Sequence, residues 1–445
     1  MLPIDPVETL RSLIRFDTTN PPGNERPASE FIASILRDAG FTPELVGPDP
    51  DRPNLVAKLA ADPENCRHRP LVLSCHLDVV PADPERWTHP PFSGVEADGC
   101  IWGRGAIDMK GFAVMALTTI LRLKSDNIPI DRDIIFAAVA DEEAGTEFGS
   151  RWLVENRPDI LGDDPEYVIN EVGGFTLHQH GKRFYPVQVA EKGVAWLRMS
   201  VRGKPGHSSL PQSENAIARL GEAAAKLSRA RLPWHVSDPA RTFITGIAAH
   251  AGFGAKAFCE RLLLNPTLGP KLMKLVVPKN RQPNFEALLR NTATPTVFSA
   301  GSKINVSPSL ATLDLDGRLA PGQTADDLIR EIKSVIADDD FEIEILQEFP
   351  AVQFNSETPF FEKIRDVMAQ RDPEGIVVPS MIPGFTDSQN YARLGADCYG
   401  FYPLKLDPEL DFAAMFHGDN ERIPIDGFKW GIETLYETVS EFCAP

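Results

Sequence analysis

Over its first 190 residues the chain alternates short apolar runs with amphipathic helical stretches, and no other feature restricts its fold so strongly. The runs "NLVAKLA", "PLVLSCHLDVV", "DIIFAAVA" and "YVINEV" have the length and β-branched content of buried strands. Between them, "PVETLRSLIRF" and "PASEFIASILRDAGF" repeat apolar residues at helical spacing. Such alternation predicts an α/β domain with a mostly parallel central sheet. Ligands bind beyond the carboxyl ends of strands in sheets of this kind. Three of the runs end in His76 and Asp78, in Glu142 and Glu143, and in Glu171, so these side chains are expected to converge.

At Glu191 the pattern changes. "VAWLRMSVRG", the helical "NAIARLGEAAAKLSRA", the strand pair around "PTVFSAGSKINVSPSLATLDLDGRLAP", the helical "ADDLIREIKSVI" and "FEIEILQEF" read as βαββαβ, a small ferredoxin-like α+β unit. A helical insertion over roughly residues 232–291 interrupts it, and its "FCERLLLNPTLGPKLMKLVV" is apolar on one face. After Pro350 the α/β pattern returns and closes on "DGFKWGIETLYETVSEF". A chain of 445 residues exceeds the roughly 250–300 that one core organises. The expected arrangement is a larger domain in two parts, residues 1–190 and 350–445, with a second domain, residues 191–349, inserted between them.

Charge narrows the partners. A net charge of −18 and a sequence pI near 5.0 repel phosphate backbones and anionic membrane surfaces, which argues against nucleic acid and against membranes. The start "MLPIDPVETL" lacks a basic segment followed by an apolar one, and "GFAVMALTTILRL" is too short to span a bilayer. A cytoplasmic protein is expected. The six cysteines show no Cys-x-x-Cys spacing and read as reduced, packed thiols.

Four separated segments carry imidazole and carboxylate groups in turn-rich contexts: "SCHLDVVP", "WGRGAIDMKG", "ADEEAG" with "NEVGG", and "MFHGDNERIP". Two zinc-class ions about 3.5–4 Å apart need a shared carboxylate to offset their mutual repulsion. Asp108, in the loop before a helix, suits that bridge. On this hypothesis His76, Asp108 and Glu171 hold one ion, and Glu143, Asp108 and His417 hold the other. Asp78 accepts the proton on the second ring nitrogen of His76 and fixes its tautomer. Glu142 lies beside a ligand but outside the set, free to act as a general base toward a bridging water.

Taken together, these segments resemble the di-zinc amidohydrolases that include aminoacylase, acetylornithine deacetylase, succinyl-diaminopimelate desuccinylase and carboxypeptidase S. "CHLDVVP", "PPFSG", "DGCIWGRGAIDMKG", "DEEAG", "GHSSLP" and "KINVSP" stand in that family's order and approximate spacing over nearly the whole chain. The resemblance implies the ligand set above, Glu142 as base, a cis peptide after Asp108, and zinc as the metal with cobalt or manganese as alternatives. It implies that the inserted domain is a lid that dimerises and presents His207 of "GHSSLP" to the developing oxyanion across the subunit interface. It implies further that Asn305, Arg318, Gly384 and Thr386 contact substrate.

Two features depart from the family pattern. "PGFTDSQNY" places Phe385 where many relatives carry a second glycine, reshaping the carboxylate end of the pocket. The long insertion resembles the carboxypeptidase S and N-acyl-amino-acid hydrolase branch. The expected activity is hydrolysis of an amide next to a free carboxylate, in an N-acyl amino acid or a short peptide. A dipeptidase or carboxypeptidase of the same family is the nearest alternative, and an inactive metal-retaining binding protein the distant one.

Other patterns read as structural. "HQH" at His178 and His180 lacks an acidic partner motif and reads as an exposed loop. Ser208 and Ser209 beside His207 are not framed by a Gly-x-Ser-x-Gly elbow. "GRGAID" has too few glycines for a dinucleotide fingerprint, so no organic cofactor is indicated.

Overall fold

Leu71–His76 is buried at every residue, as a strand must be when helices cover both faces of its sheet. Ile134–Val139 and Tyr167–Asn170 run parallel on either side of it and are equally buried. Asp397–Gly400 extends the parallel core beyond Tyr167–Asn170. Asn54–Leu59 and Glu44–Val46 pair antiparallel at one side, and Lys182–Glu191 at the other. The computed structural model describes residues 3–445 except 211–213, 280 and 411, and only the backbone of residue 413.

The chain divides into two compact units. One holds the chain up to Val189, Phe354–Pro379 and Thr386–Pro445; the other holds Ala190–Gln353 and Ser380–Phe385. In the first unit the helix Lys110–Ser125 is buried nearly all round. Its two threonines avoid an unpaired buried hydroxyl by bonding back one turn, Thr118 to the Val114 carbonyl at 2.6 Å and Thr119 to that of Met115 at 2.9 Å. Its first turn needs glycine, because a Cβ on Gly111 would come within 2.4 Å of the Ala106 carbonyl oxygen and 2.1 Å of the Tyr402 hydroxyl. That close approach fixes the loop carrying Asp108.

The second unit is built on a four-stranded antiparallel sheet. Its strands lie in the order Thr292–Ala300, Leu310–Leu319, Gly193–Arg202, Glu342–Phe349. With the helices Ala216–Arg229 and Ala325–Ile336 this is the expected ferredoxin-like βαββαβ topology. Leu310–Leu319 alternates buried and half-buried positions along most of its length, and its inward side chains meet Leu220, Leu328 and Ile332 in one core. The helix Ala325–Ile336 starts where Thr324 and Asp327 bond each other's main chain in a capping box. The insertion folds as helical segments around a smaller core of Trp234, Ile244, Leu263, Leu264, Met273 and Leu289. His178 differs from the loop reading: it sits on the short strand Leu177–Gln179 with Nε2 3.1 Å from the Leu406 carbonyl, while His180 occupies the turn that follows.

Candidate metal centre

Three adjacent parallel strands deliver their carboxyl ends to one place in the first unit. His76 is the last residue of its strand, Glu142 and Glu143 form the turn after Ile134–Val139, and Glu171 follows Tyr167–Asn170. Asp108 joins them from the loop before Lys110–Ser125, across an Asp108–Met109 cis peptide. His417 arrives from the loop preceding Arg422–Pro424. Several residues here hold a left-handed backbone without being glycine, among them Asp141 at φ 63°, Val172 at φ 57° and His417 at φ 58°. For a β-branched residue such as Val172 that conformation is a genuine outlier, held by its surroundings beside Glu171.

The Asp108 carboxylate lies between two histidines. Its Oδ1 is 3.1 Å from His76 Nε2 and its Oδ2 is 3.2 Å from His417 Nε2. Glu171 Oε2 lies 3.7 Å from His76 Nε2, and Glu143 Oε2 lies 3.1 Å from His417 Nε2. Donors about 2.0–2.2 Å from a tetrahedral zinc ion stand roughly 3.4 Å from one another, so these spacings suit a metal. His76, Asp108 and Glu143 gather donor atoms within 4.8 Å, as do His76, Glu142 and Glu171. Glu143 Oε1 is buried without a hydrogen-bond partner, the kind of orphan atom a cation satisfies.

Electrostatics point the same way. Burial, then repulsion from Asp108, pushes Glu171 up to about 8. Burial and the charge of Glu171 lift Glu142 well above the usual carboxylate range, and burial with Asp108 raises Glu143. Burial opposes charge on His76, yet its bonds to Asp108, Asp78 and Glu171 raise it well above its ordinary value. Hydrogen bonds to Asp108 and Glu143 lift His417 to about 10. So many acids facing two imidazoles hold either protons or cations, and the donor set fits zinc-class ions.

Asp78 supports the centre through both its main chain and its carboxylate. The nearer partner of His76 Nδ1 is the main-chain carbonyl of Asp78 at 3.0 Å, with the carboxylate at 3.5 Å. That carboxylate accepts the main-chain N–H groups of Glu142 and Glu143, each at 3.1 Å, and the Asn20 side chain at 2.8 Å. It therefore aims the turn that carries both glutamates.

Sequence reading missed several supporting residues. Asn20 also donates to Asp141 at 3.0 Å, and Arg52 joins Asp141 at 3.1 Å and Glu25 at 2.6 Å. Glu421, fully buried, accepts the N–H groups of Gly105, Ile107 and Asp108 at 3.1, 2.7 and 3.1 Å. Its fourth donor is Arg104 Nη1 at 2.7 Å. Glu421 thus pins the Asp108 loop to the segment bearing His417. It stood in the quoted "MFHGDNERIP", but nothing local distinguishes a clamp from a solvated acid.

The remaining expected residues are carried by other elements. His207 pairs with Val306 in a two-residue ladder, which sets it beside Asn305, whose carbonyl accepts from Ser208 N–H at 3.3 Å. The Ser209 main-chain N–H donates to His207 Nδ1 at 3.3 Å, and the Ser209 hydroxyl lies 2.8 Å from the same nitrogen. Arg318 on Leu310–Leu319 pairs with Asp316 at 2.9 Å, and its guanidinium stands 5.6 Å from the Phe385 ring centroid. A Cβ on Gly384 would meet open space. Thr386 is 1% exposed, its hydroxyl accepting from Asn170 at 3.2 Å and donating to Ser388 at 2.9 Å, so it braces the strand ends from within. Pro211 of "GHSSLP" lies outside the described residues.

Comparison with known proteins agrees with this geometry. Residues 72–441 match peptidase family M20/M25/M40. The chain is 30% identical over 380 residues to the mouse N-fatty-acyl-amino acid synthase/hydrolase PM20D1, covering 83% of this chain and 74% of that protein. It is 26% identical over 412 residues to carboxypeptidase S of Saccharomyces cerevisiae, covering 83% of this chain and 71% of that one. Among solved structures, an M20 family metallo-carboxypeptidase from Sulfolobus solfataricus superposes with a TM-score of 0.69 at 17% identity over 99% of both chains. The chain is a metallohydrolase belonging to peptidase family M20/M25/M40.

Proposed function

We propose that the chain is a two-metal hydrolase that cleaves the amide bond of N-acyl amino acids. The observation that carries this reading is the Asp108 carboxylate, which turns one oxygen to His76 and the other to His417. His76, Asp108 and Glu171 would hold one zinc-class ion, and Glu143, Asp108 and His417 the other. When bound, such ions activate a carbonyl and a water electrophilically. Glu142 accepts the proton that water loses as its oxygen attacks the carbonyl carbon. It then delivers that proton to the nitrogen as the C–N bond breaks, leaving a carboxylic acid and a free amino acid.

The His207 imidazole is a donor suited to the oxyanion. Arg318 and Asn305 orient the substrate's polar groups, and the open space at Gly384 accommodates its carboxylate. Self-association through the second unit fits its edge strand Thr292–Ala300, which leaves Val297 and Phe298 exposed. Similarity to the PM20D1 proteins favours an acylated amino acid, and similarity to carboxypeptidase S supports a peptide substrate as the second reading.

A panel of N-acetyl amino acids, long-chain N-acyl amino acids and dipeptides on zinc-loaded protein separates the two. Long-chain N-acyl amino acids are expected to turn over fastest, and a preference for dipeptides would replace this reading with the second. Glu142→Gln is expected to lose turnover about 100-fold or more while retaining metal. Near-normal turnover in that variant would remove Glu142 from the reaction.

A further inference from the structure

Phe253–Arg281, within the helical insertion, departs from the rest of the chain in both charge and exposure. It contains six basic residues and one acidic residue, Glu260, in a chain of net charge −18. All six basic residues are exposed. Five large apolar side chains in the same stretch face solvent: Phe253 wholly, Leu275 at 82%, and Leu262, Leu268 and Val276 to lesser degrees. They are not a core left incomplete, because the insertion already buries Leu263, Leu264 and Met273 against Trp234 and Ile244.

On the helix Gly269–Val276, Gly269 and Met273 turn inward. Leu268, Lys271 and Leu275 follow one another at i, i+3 and i+7, which makes an outward stripe with Lys274 at its flank. Among the described residues, the ion pair in this stretch joins Lys256 to Glu260 at 3.8 Å, and Lys271, Lys274 and Lys279 have no carboxylate partner. Charges more than about 8 Å away are screened at physiological salt, so the acidic remainder of the chain does not cancel this local excess. Exposed apolar side chains interleaved with uncompensated lysines are the composition of a helix that lies in a lipid interface.

We propose that this segment docks the protein on an anionic phospholipid surface. The net negative charge, read as an average over the chain, conceals a patch of opposite sign. A second copy of the chain is the poorer occupant, because a two-fold contact would set lysines against lysines. Docking of this kind would bring the protein to where long-chain N-acyl amino acids partition. That extension rests on the function proposed above, whereas docking itself does not, so the two fail separately.

The test is co-sedimentation of metal-loaded protein with vesicles of mixed phosphatidylglycerol and phosphatidylcholine, or of phosphatidylcholine alone, at low and high salt. Binding to the mixed vesicles is expected to exceed binding to phosphatidylcholine by about tenfold or more and to weaken with salt. The double variant Lys271→Glu/Leu275→Glu is expected to lose that binding with its thermal midpoint unchanged. If the double variant misfolds, Lys274→Gln with Lys279→Gln gives a charge-only comparison, expected to reduce binding and raise no aggregation. Equal partitioning onto both vesicle types, undiminished binding by the variants, or absence of binding would overturn the proposal. Loss of self-association in the double variant without any vesicle binding would assign the face to a second copy and overturn it equally.

Discussion

Glu421→Gln preserves size and shape while removing one buried charge, and its effect follows from four contacts. Oε1 serves the N–H groups of Ile107 and Asp108, and Oε2 serves that of Gly105 and the Arg104 guanidinium. A glutamine keeps a single acceptor oxygen, so in either orientation two donors face an NH2 group instead. Stranding two buried main-chain N–H groups costs about 1–3 kcal/mol each, and stranding the Arg104 charge costs about 3–5 kcal/mol. Turning the amide oxygen toward Gly105 and Arg104 strands only the Ile107 and Asp108 N–H groups, so the expected loss is about 2–6 kcal/mol in urea unfolding of the metal-free protein. Since Asp108 itself moves, zinc affinity measured by chelator competition is expected to fall about 10–100-fold. Glu433→Gln, at a partly exposed pair with Arg122, serves as the control and should cost at most about 1 kcal/mol. A loss below about 1 kcal/mol in Glu421→Gln with unchanged zinc affinity would refute the clamp.

Two further outcomes are expected. Elemental analysis of gently purified protein should find two zinc-class ions per chain; their removal should lower the melting temperature by an amount equivalent to about 2.7 kcal/mol per ion held at a hundredfold excess over its Kd, restored on re-addition. One ion or none, with no thermal response, would remove Asp108 as a bridge. Asp372, bonded by Arg183 and Tyr185, titrates at about 2 in the folded chain against 3.8 unfolded, so it binds its proton less readily when folded. Its contribution of about 2 kcal/mol is complete above pH 4 and vanishes as pH falls through 2, a decline that denaturant unfolding should show in the parent protein and not in Asp372→Asn.

Much of the architecture was readable because periodicity reports burial. The strand "PLVLSCHLDVV" and the helix "ADDLIREIKSVI" each carry their own pattern, and both appear where that pattern puts them. The convergence of His76, Glu142, Glu143 and Glu171 was also legible, because strand ends in a parallel sheet have few places to go. What sequence concealed was support that acts at a distance. Asn20, Arg52 and Glu421 sit in turn-like segments with ordinary composition, and only tertiary folding turns them toward Asp78, Asp141 and Asp108. The division of labour within Asp78 was hidden for a related reason: its main-chain carbonyl, which no residue code describes, is the nearer group to His76.

The Asp108 loop is completed by a residue 313 positions further along, Glu421. A ribosome adding about 5–20 residues per second needs roughly 15–60 s to cover that distance. For that interval the nascent chain lacks His417 and Glu421, so on the function proposed above a divalent ion would be retained only once both have been added. On the function proposed above, metal capture would be a late checkpoint on synthesis, reached only after the second unit has emerged.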